Sequence, residues 1–122
     1  MQLHFEDERP IYIQIAKCIE DGILSGAFPE ETQIPSTTEI SLRYKINPAT
    51  ALRGINILVD SGIVYKKRGL GMFVAIGALD TLREKRKKEF FKHYITKVIA
   101  EAKKINLSRE EIVLMIERGF EQ

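Results

Sequence analysis

Apolar residues recur every four positions from Ile11 through Ile15 and Ile19 to Ile23, with Tyr12 and Ala16 beside them. That spacing puts one apolar stripe on a helix that Pro10 opens and Gly26 stops, after which Phe28-Pro29 turns the chain. In IPSTTEISLRY, Ser36 stands three residues before Glu39, the spacing of a capping box, and Ile40 and Tyr44 face inward from a short second helix. Lys45 and Ile46 lead to a third helix, with Asn47 as its cap and Pro48 at the first helical position, where no N–H is needed. Ala51, Ile55, Leu58 and Val59 mark its buried side and Gly62 its end. Gly54 inside it costs about 1 kcal/mol relative to alanine, which predicts a close approach of the second helix there. IVYKKRGLGMFVA then reads as two short strands, 63–67 and 72–75, around a turn containing Gly69 and Gly71.

From about residue 80 the pattern changes to a long helix, with Phe91, Tyr94, Ile95, Val98, Ala102 and Ile105 at steps of three and four. Asn106 can take the left-handed conformation that closes it. Ser108 and Glu111 repeat the capping-box spacing and start a last helix carrying Ile112, Met115, Ile116 and Phe120. A hairpin of two helices cannot cover both of its own faces. Phe91, Tyr94, Ile95, Val98, Ala102, Ile112, Ile116 and Phe120 are therefore expected to meet a second copy of the chain.

The order helix, helix, short turn, helix, basic hairpin outlines a winged helix-turn-helix. The expected fold is mainly α (α+β): a DNA-binding winged helix-turn-helix domain over 1–77 and a two-helix dimerisation hairpin over 78–122. A recognition helix enters the major groove by its amino end, so its first-turn side chains meet base edges while its free N–H groups face phosphate. Ala49 keeps that end small, Thr50 offers a hydroxyl and a methyl, and Arg53 adds a charge one turn later. In the wing, Lys66, Lys67 and Arg68 supply cations for phosphates or the minor groove, and Gly69 and Gly71 permit close backbone approach.

Charge distribution agrees with this more than total charge does. The net charge is only +2, but residues 43–71 hold six basic side chains (Arg43, Lys45, Arg53, Lys66, Lys67, Arg68) against one acid, Asp60, while the first 40 residues are acidic. With 44% hydrophobic and 30% charged residues the chain can build a core and stay in water. No apolar run approaches the roughly 20 residues that span a bilayer. The acidic amino end is unlike a signal peptide, and the single cysteine, Cys18, fits a reducing cytoplasm. His4, Cys18 and His93 lack ligand spacing, so no metal or cofactor is expected, and no catalytic constellation argues for an enzyme.

Three segments, PIYIQIAKCIEDGILSGAFPEETQIPSTTEIS, INPATALRGINILVDSGIVY and KKRGLGMFV, resemble successive signatures of the GntR family of bacterial transcription regulators, from Arg9 to Ala75 without a gap. FKHYITKVIAEAKKINLSREEIVLMIE is similar to the short two-helix tail of its YtrA-type subfamily. The resemblance implies a homodimeric repressor that binds double-stranded DNA at an inverted repeat. It also implies an operon of transporter type as the target, and dimerisation by the tail in place of a large effector domain. An effector would then act at the junction of the two regions or across the dimer. The resemblance implies DNA contacts by Ser36, Thr38, Asn47, Ala49, Thr50, Arg53, Lys66, Lys67, Arg68, Gly69 and Gly71. Thr38 stands where the family usually has arginine, and Ala51-Leu52 where it has valine or leucine and then a polar or basic residue. A lost arginine–guanine pair removes about 1–3 kcal/mol of discrimination, which implies weaker base readout or a tilt toward A·T pairs.

Several of these residues also have simpler explanations. Capping alone accounts for Ser36, Asn47 and Pro48, and the basic run 83–88 reads more simply as a solvated helix face than as a second DNA site. The alternative function is a winged helix kept as a protein-interaction module with weak, non-specific DNA binding, which Thr38 and Leu52 would suit.

Overall fold

Helix α1 (Ile11–Ser25) buries Ile15, Ala16, Ile19 and Ile23, the stripe its spacing predicts. Gly26 ends it in the left-handed region, at φ +88°, where a side chain would be strained. The structure is a computed structural model that describes residues 3–122. Helices α2 (Thr37–Tyr44) and α3 (Pro48–Asp60) add Ile40 and then Ala51, Ile55 and Leu58 to the same core, with Tyr44 and Val59 partly buried against it. Strands β1 (Val64–Lys67) and β2 (Gly71–Val74) pair antiparallel, with Val64 opposite Val74 and Lys67 opposite Gly71. They lie within a residue of the predicted strands, and Ile63, Val64 and Val74 close the core from their side.

The small sheet has an extra partner that hydropathy does not announce. Residues 31–34 run beside β2: Glu31 N–H donates to the Val74 carbonyl at 2.8 Å, Val74 N–H to Thr32 at 3.0 Å, and Ile34 N–H to Met72 at 2.9 Å. Glu31-Thr32-Gln33 is polar, so only the long-range pairing reveals it.

Gly54 corrects one expectation. A Cβ there would sit 2.7 Å from the Tyr12 carbonyl oxygen and 2.9 Å from Ile15 Cγ2. The close neighbour is α1, not α2, because α1 crosses α3 at this glycine. Exclusion of a side chain is still the reason for the residue.

Helix α4 (Ala78–Phe90) begins inside the first core, where Ala78 and Leu82 are buried. Its amino end is capped from far along the chain, since the Glu30 carboxylate accepts from Gly77 N–H at 2.7 Å and Leu79 N–H at 3.2 Å. The first compact unit accordingly ends at Glu84 and the second is Lys85–Gln122, later than the expected division at 77/78.

In the second unit the expected long helix is interrupted. A π-helical turn, Phe91–Ile95, precedes α5 (Thr96–Lys104). Thr96 N–H bonds the Phe91 carbonyl, five residues back, and the Thr96 hydroxyl donates to the Lys92 carbonyl that the widened turn would leave without its α-helical donor. Asn106 has φ +57°, as a left-handed closure requires. Ser108 then caps α6 (Arg109–Glu121): its Oγ accepts from Glu111 N–H at 3.1 Å and its own N–H donates to Glu111 Oε1 at 3.3 Å. Among the described residues of this unit only Ala102 is buried.

Candidate nucleic-acid interface

The helix-turn-helix is fixed by short polar contacts. Ser36 Oγ accepts from Glu39 N–H at 3.0 Å and Ser36 N–H donates to Glu39 Oε1 at 3.3 Å, so the capping box starting α2 is complete. The turn after α2 needs a left-handed residue, and Lys45 supplies it at φ +54°. Ser41 locks this turn by donating its hydroxyl to the Ile46 carbonyl at 2.7 Å while its own carbonyl accepts from Ile46 N–H.

Asn47 then starts α3, its side-chain oxygen accepting from Ala49 N–H at 2.8 Å and its carbonyl from Thr50 and Ala51 N–H. Pro48 has no N–H to offer. Every donor of the first turn is therefore occupied, which overturns the expectation of free N–H groups for a phosphate at this helix end. What this helix end can offer a ligand is therefore its side chains.

Those side chains form one surface. Ala49, Leu52, Arg53 and Asn56 are exposed at helical spacing, Thr50 is half-buried, and all but Thr50 line an open groove with Tyr12, Ile13, Ile57 and Asp60. Asn56 carries no local signal in the sequence, although it lies seven residues from Ala49 on the same face and could pair with the edge of an adenine. Tyr12 reads in the sequence only as part of the α1 stripe. Its ring in fact carries the Arg53 guanidinium, whose Cζ lies 3.8 Å from the ring centroid. Thr38 is exposed at the start of α2.

The wing divides its cations. Lys66 and Arg68 are exposed, whereas Lys67 is half-buried, with Nζ 4.4 Å from the Phe73 ring centroid and 5.8 Å from that of Tyr65. Lys67 lies over two rings instead of projecting like its neighbours, because strand alternation puts it on their face. Tyr65 is itself anchored by donating its hydroxyl to Glu31 Oε2 at 2.8 Å. Gly69 turns the tip at φ +80° with open space around it. Gly71 also makes room for a side chain from elsewhere, since a Cβ there would come within 2.5 Å of Gln33 Nε2, which donates to the Leu70 carbonyl at 2.8 Å. Gln33 thus tethers the wing tip, and Leu70 stands 64% exposed at its end. Nothing local in the sequence marks Gln33, which is 37 residues from its partner.

In the second unit, Phe91, Tyr94, Val98, Ile116 and Phe120 are exposed and Ile95 and Ile112 half-buried, as an uncovered apolar face requires. Ala102 differs: at 4% exposure it is enclosed by its own hairpin and has little left to offer a partner. Ile99, Val113 and Leu114 are also exposed and lie outside the expected face. An apolar cleft of about 420 Å³ opens between α5 and α6, with Lys103 and Arg109 among its lining residues. Among the described residues, no group of three or more His, Cys, Asp or Glu side chains could hold a metal, and no helix is long and apolar enough to cross a membrane.

No family model matches the chain. It is 30% identical over 115 residues to the HTH-type transcriptional regulator YhcF of Bacillus subtilis, spanning 93% of this chain and 92% of that protein. The crystal structure of a transcriptional regulator of the GntR family from Bacteroides thetaiotaomicron is similar at 34% identity and TM-score 0.80, over 91% of this chain and 97% of that one. The DNA-binding domain of AraR, solved in complex with the operator ORX1, is similar over 62% of this chain and 96% of its own length, at 26% identity and TM-score 0.56.

Proposed function

The chain belongs to the GntR family and is a DNA-binding transcription regulator with a winged helix-turn-helix, and from that premise we propose that it acts as a homodimeric repressor at an inverted-repeat operator. The observation that carries the dimer is the apolar face of residues 85–122, exposed along both helices of a hairpin that buries only Ala102. Two copies joined there present two α3 helices, and two-fold symmetry in the protein calls for two-fold symmetry in the site. Half-site centres then lie about one helical turn, or a multiple of it, apart.

In this reading Thr50, Arg53 and Asn56 meet base edges, and Ala49 lets the helix end approach. Lys66 and Arg68 hold phosphates or the minor groove, with Lys67 released from its rings or left as wing structure. Ser36 and Asn47 act mainly as caps, their side-chain oxygens being engaged already. Thr38 is too short for a bidentate guanine contact, which favours hydroxyl readout. Ala102 drops out of the pairing face. Repression, with an operon of transporter type as the target, draws its support from the likeness of the tail to YtrA-type repressors.

The test is selection of binding duplexes from a randomised pool, followed by anisotropy on the selected and scrambled sequences. A palindromic consensus is expected, with tighter binding to it at physiological salt. Arg68→Glu should weaken binding to both duplexes and lower the salt slope by about 1 to 2. Enrichment of no sequence, together with capture of a protein partner, would favour the interaction-module reading.

A further inference from the structure

We infer that Tyr12 is a positioning residue for DNA reading: its ring holds the Arg53 guanidinium by the face and fixes where the N–H edge points. This rests on the reading that α3 enters the groove with Arg53. Arg53 Cζ is 3.8 Å from the Tyr12 ring centroid, so the planar cation lies against the ring. A guanidinium carries its five donors in its own plane. Stacking engages the face and leaves that fork open. Among the described residues the Arg53 guanidinium makes no ion pair or hydrogen bond, and the side chain is exposed.

The backbone explains how the ring reaches this place. Gly54 follows Arg53 directly, and a Cβ on it would stand 2.7 Å from the Tyr12 carbonyl oxygen. The missing side chain lets α1 lie on α3 at the level of Arg53, so Tyr12 sits over the arginine. The groove that Tyr12 and Arg53 line also holds Ala49, Leu52 and Asn56, the exposed face of the helix.

The consequence is pre-organisation. A free arginine gives up considerable rotamer freedom when it docks on a base, and the stack removes part of that loss in advance. A ring at this position therefore adds to binding where the fork must point at one base, and adds little where any phosphate will serve.

The experiment uses the full chain and a duplex selected from a randomised pool, with a scrambled duplex as control. Tyr12→Leu is expected to weaken binding to the selected duplex by about threefold to thirtyfold, the range of a cation–π contact, and to change binding to the scrambled one by less than about twofold. Tyr12→Phe keeps the ring and should bind within about twofold of the wild type. In an Arg53→Ala background Tyr12→Leu should add no further loss. Tyr12→Met replaces the leucine variant should that one unfold, and the ring-current shift of the Arg53 Nε–H resonance, lost without the ring and kept in Tyr12→Phe, gives a reading independent of affinity.

Unchanged or tighter binding by Tyr12→Leu, with Arg53→Ala still defective, would overturn the inference and leave the α3 reading standing. Equal losses on both duplexes would overturn it as well. An Arg53→Ala protein that binds the selected duplex normally would instead overturn the reading of α3 itself.

Discussion

Among the described residues, the stretch up to Glu84 encloses fourteen aliphatic side chains in one core, from Ile15 to Leu82, whereas from Lys85 onward only Ala102 is buried. Both stretches have apolar residues at helical spacing. They differ in what the spacing meets. In the first, α1 lies across α3 at a glycine and two strands close the far side, so the stripes face one another. In the second, the hairpin buries only Ala102 among the described residues, and Phe91, Tyr94, Val98, Ile116 and Phe120 remain exposed. Periodicity thus identifies an apolar face without saying whether the cover lies in the same chain.

Substitutions can probe that contrast, and the largest effect belongs in the first unit. Ile19 is fully enclosed, and Ile19→Ala should cost about 2–5 kcal/mol of stability in denaturant titrations. A loss below about 1 kcal/mol would mean that the core is looser than its burial indicates. Phe91 and Ile116 are the counterpart in the second unit, at 59% and 48% exposure. Replacing both with serine should leave the helical content near wild type and weaken self-association by roughly thirtyfold or more, the scale of about 2 kcal/mol at an interface. Unchanged sedimentation would remove these two residues from the pairing face.

The caps offer a finer comparison because each unit has the same device. Ser36→Ala and Ser108→Ala both remove an oxygen that accepts a backbone N–H at about 3 Å, and each should cost about 1 kcal/mol. If the second unit gains its stability by pairing, the midpoint of its unfolding should rise with protein concentration in the wild type and in Ser108→Ala alike, and that of the first unit should not. The smallest effect concerns acid. Arg9 sits beside Asp7, its Nη2 2.8 Å from Oδ2, and holds the carboxyl at about 2 against the ordinary 3.8. The charged pair therefore stabilises the folded state above about pH 3.8, and this contribution is lost as the pH falls toward 2. Asp7→Asn should flatten that part of the stability profile slightly, which thermal melts across the interval can check.

Local signals told most of the fold in advance. The α1 stripe, both capping boxes, the Asn47-Pro48 start and the left-handed Asn106 each depend on residues within a few positions, and each is found as expected. What the chain could not disclose locally is long-range: Glu30 capping α4, residues 31–34 pairing with β2, and Gln33 tethering Leu70. The identity of the helix against Gly54 is of the same kind, since a glycine signals an approach without naming its partner. The widened turn at Phe91–Ile95 leaves no trace because its apolar residues satisfy an α-helical period equally well.

At the candidate site the residue types were legible and their directions were not. Thr50, Arg53, Lys66 and Arg68 sit on the expected elements, but Lys67 turns onto Phe73 and Arg53 onto Tyr12. Both choices depend on aromatic rings brought near by folding, and for Arg53 the ring is 41 positions earlier in the chain.

If the second unit joins two copies so that two α3 helices read one site, the number of chains on a duplex is the quantity that decides. Sedimentation of the full chain mixed with its selected duplex measures this directly. Two chains of 14.0 kDa on each duplex is the expected result, with the Phe91 and Ile116 serine variant falling to one chain and much weaker binding. A single wild-type chain per duplex, bound at full affinity to a lone half-site, would contradict it.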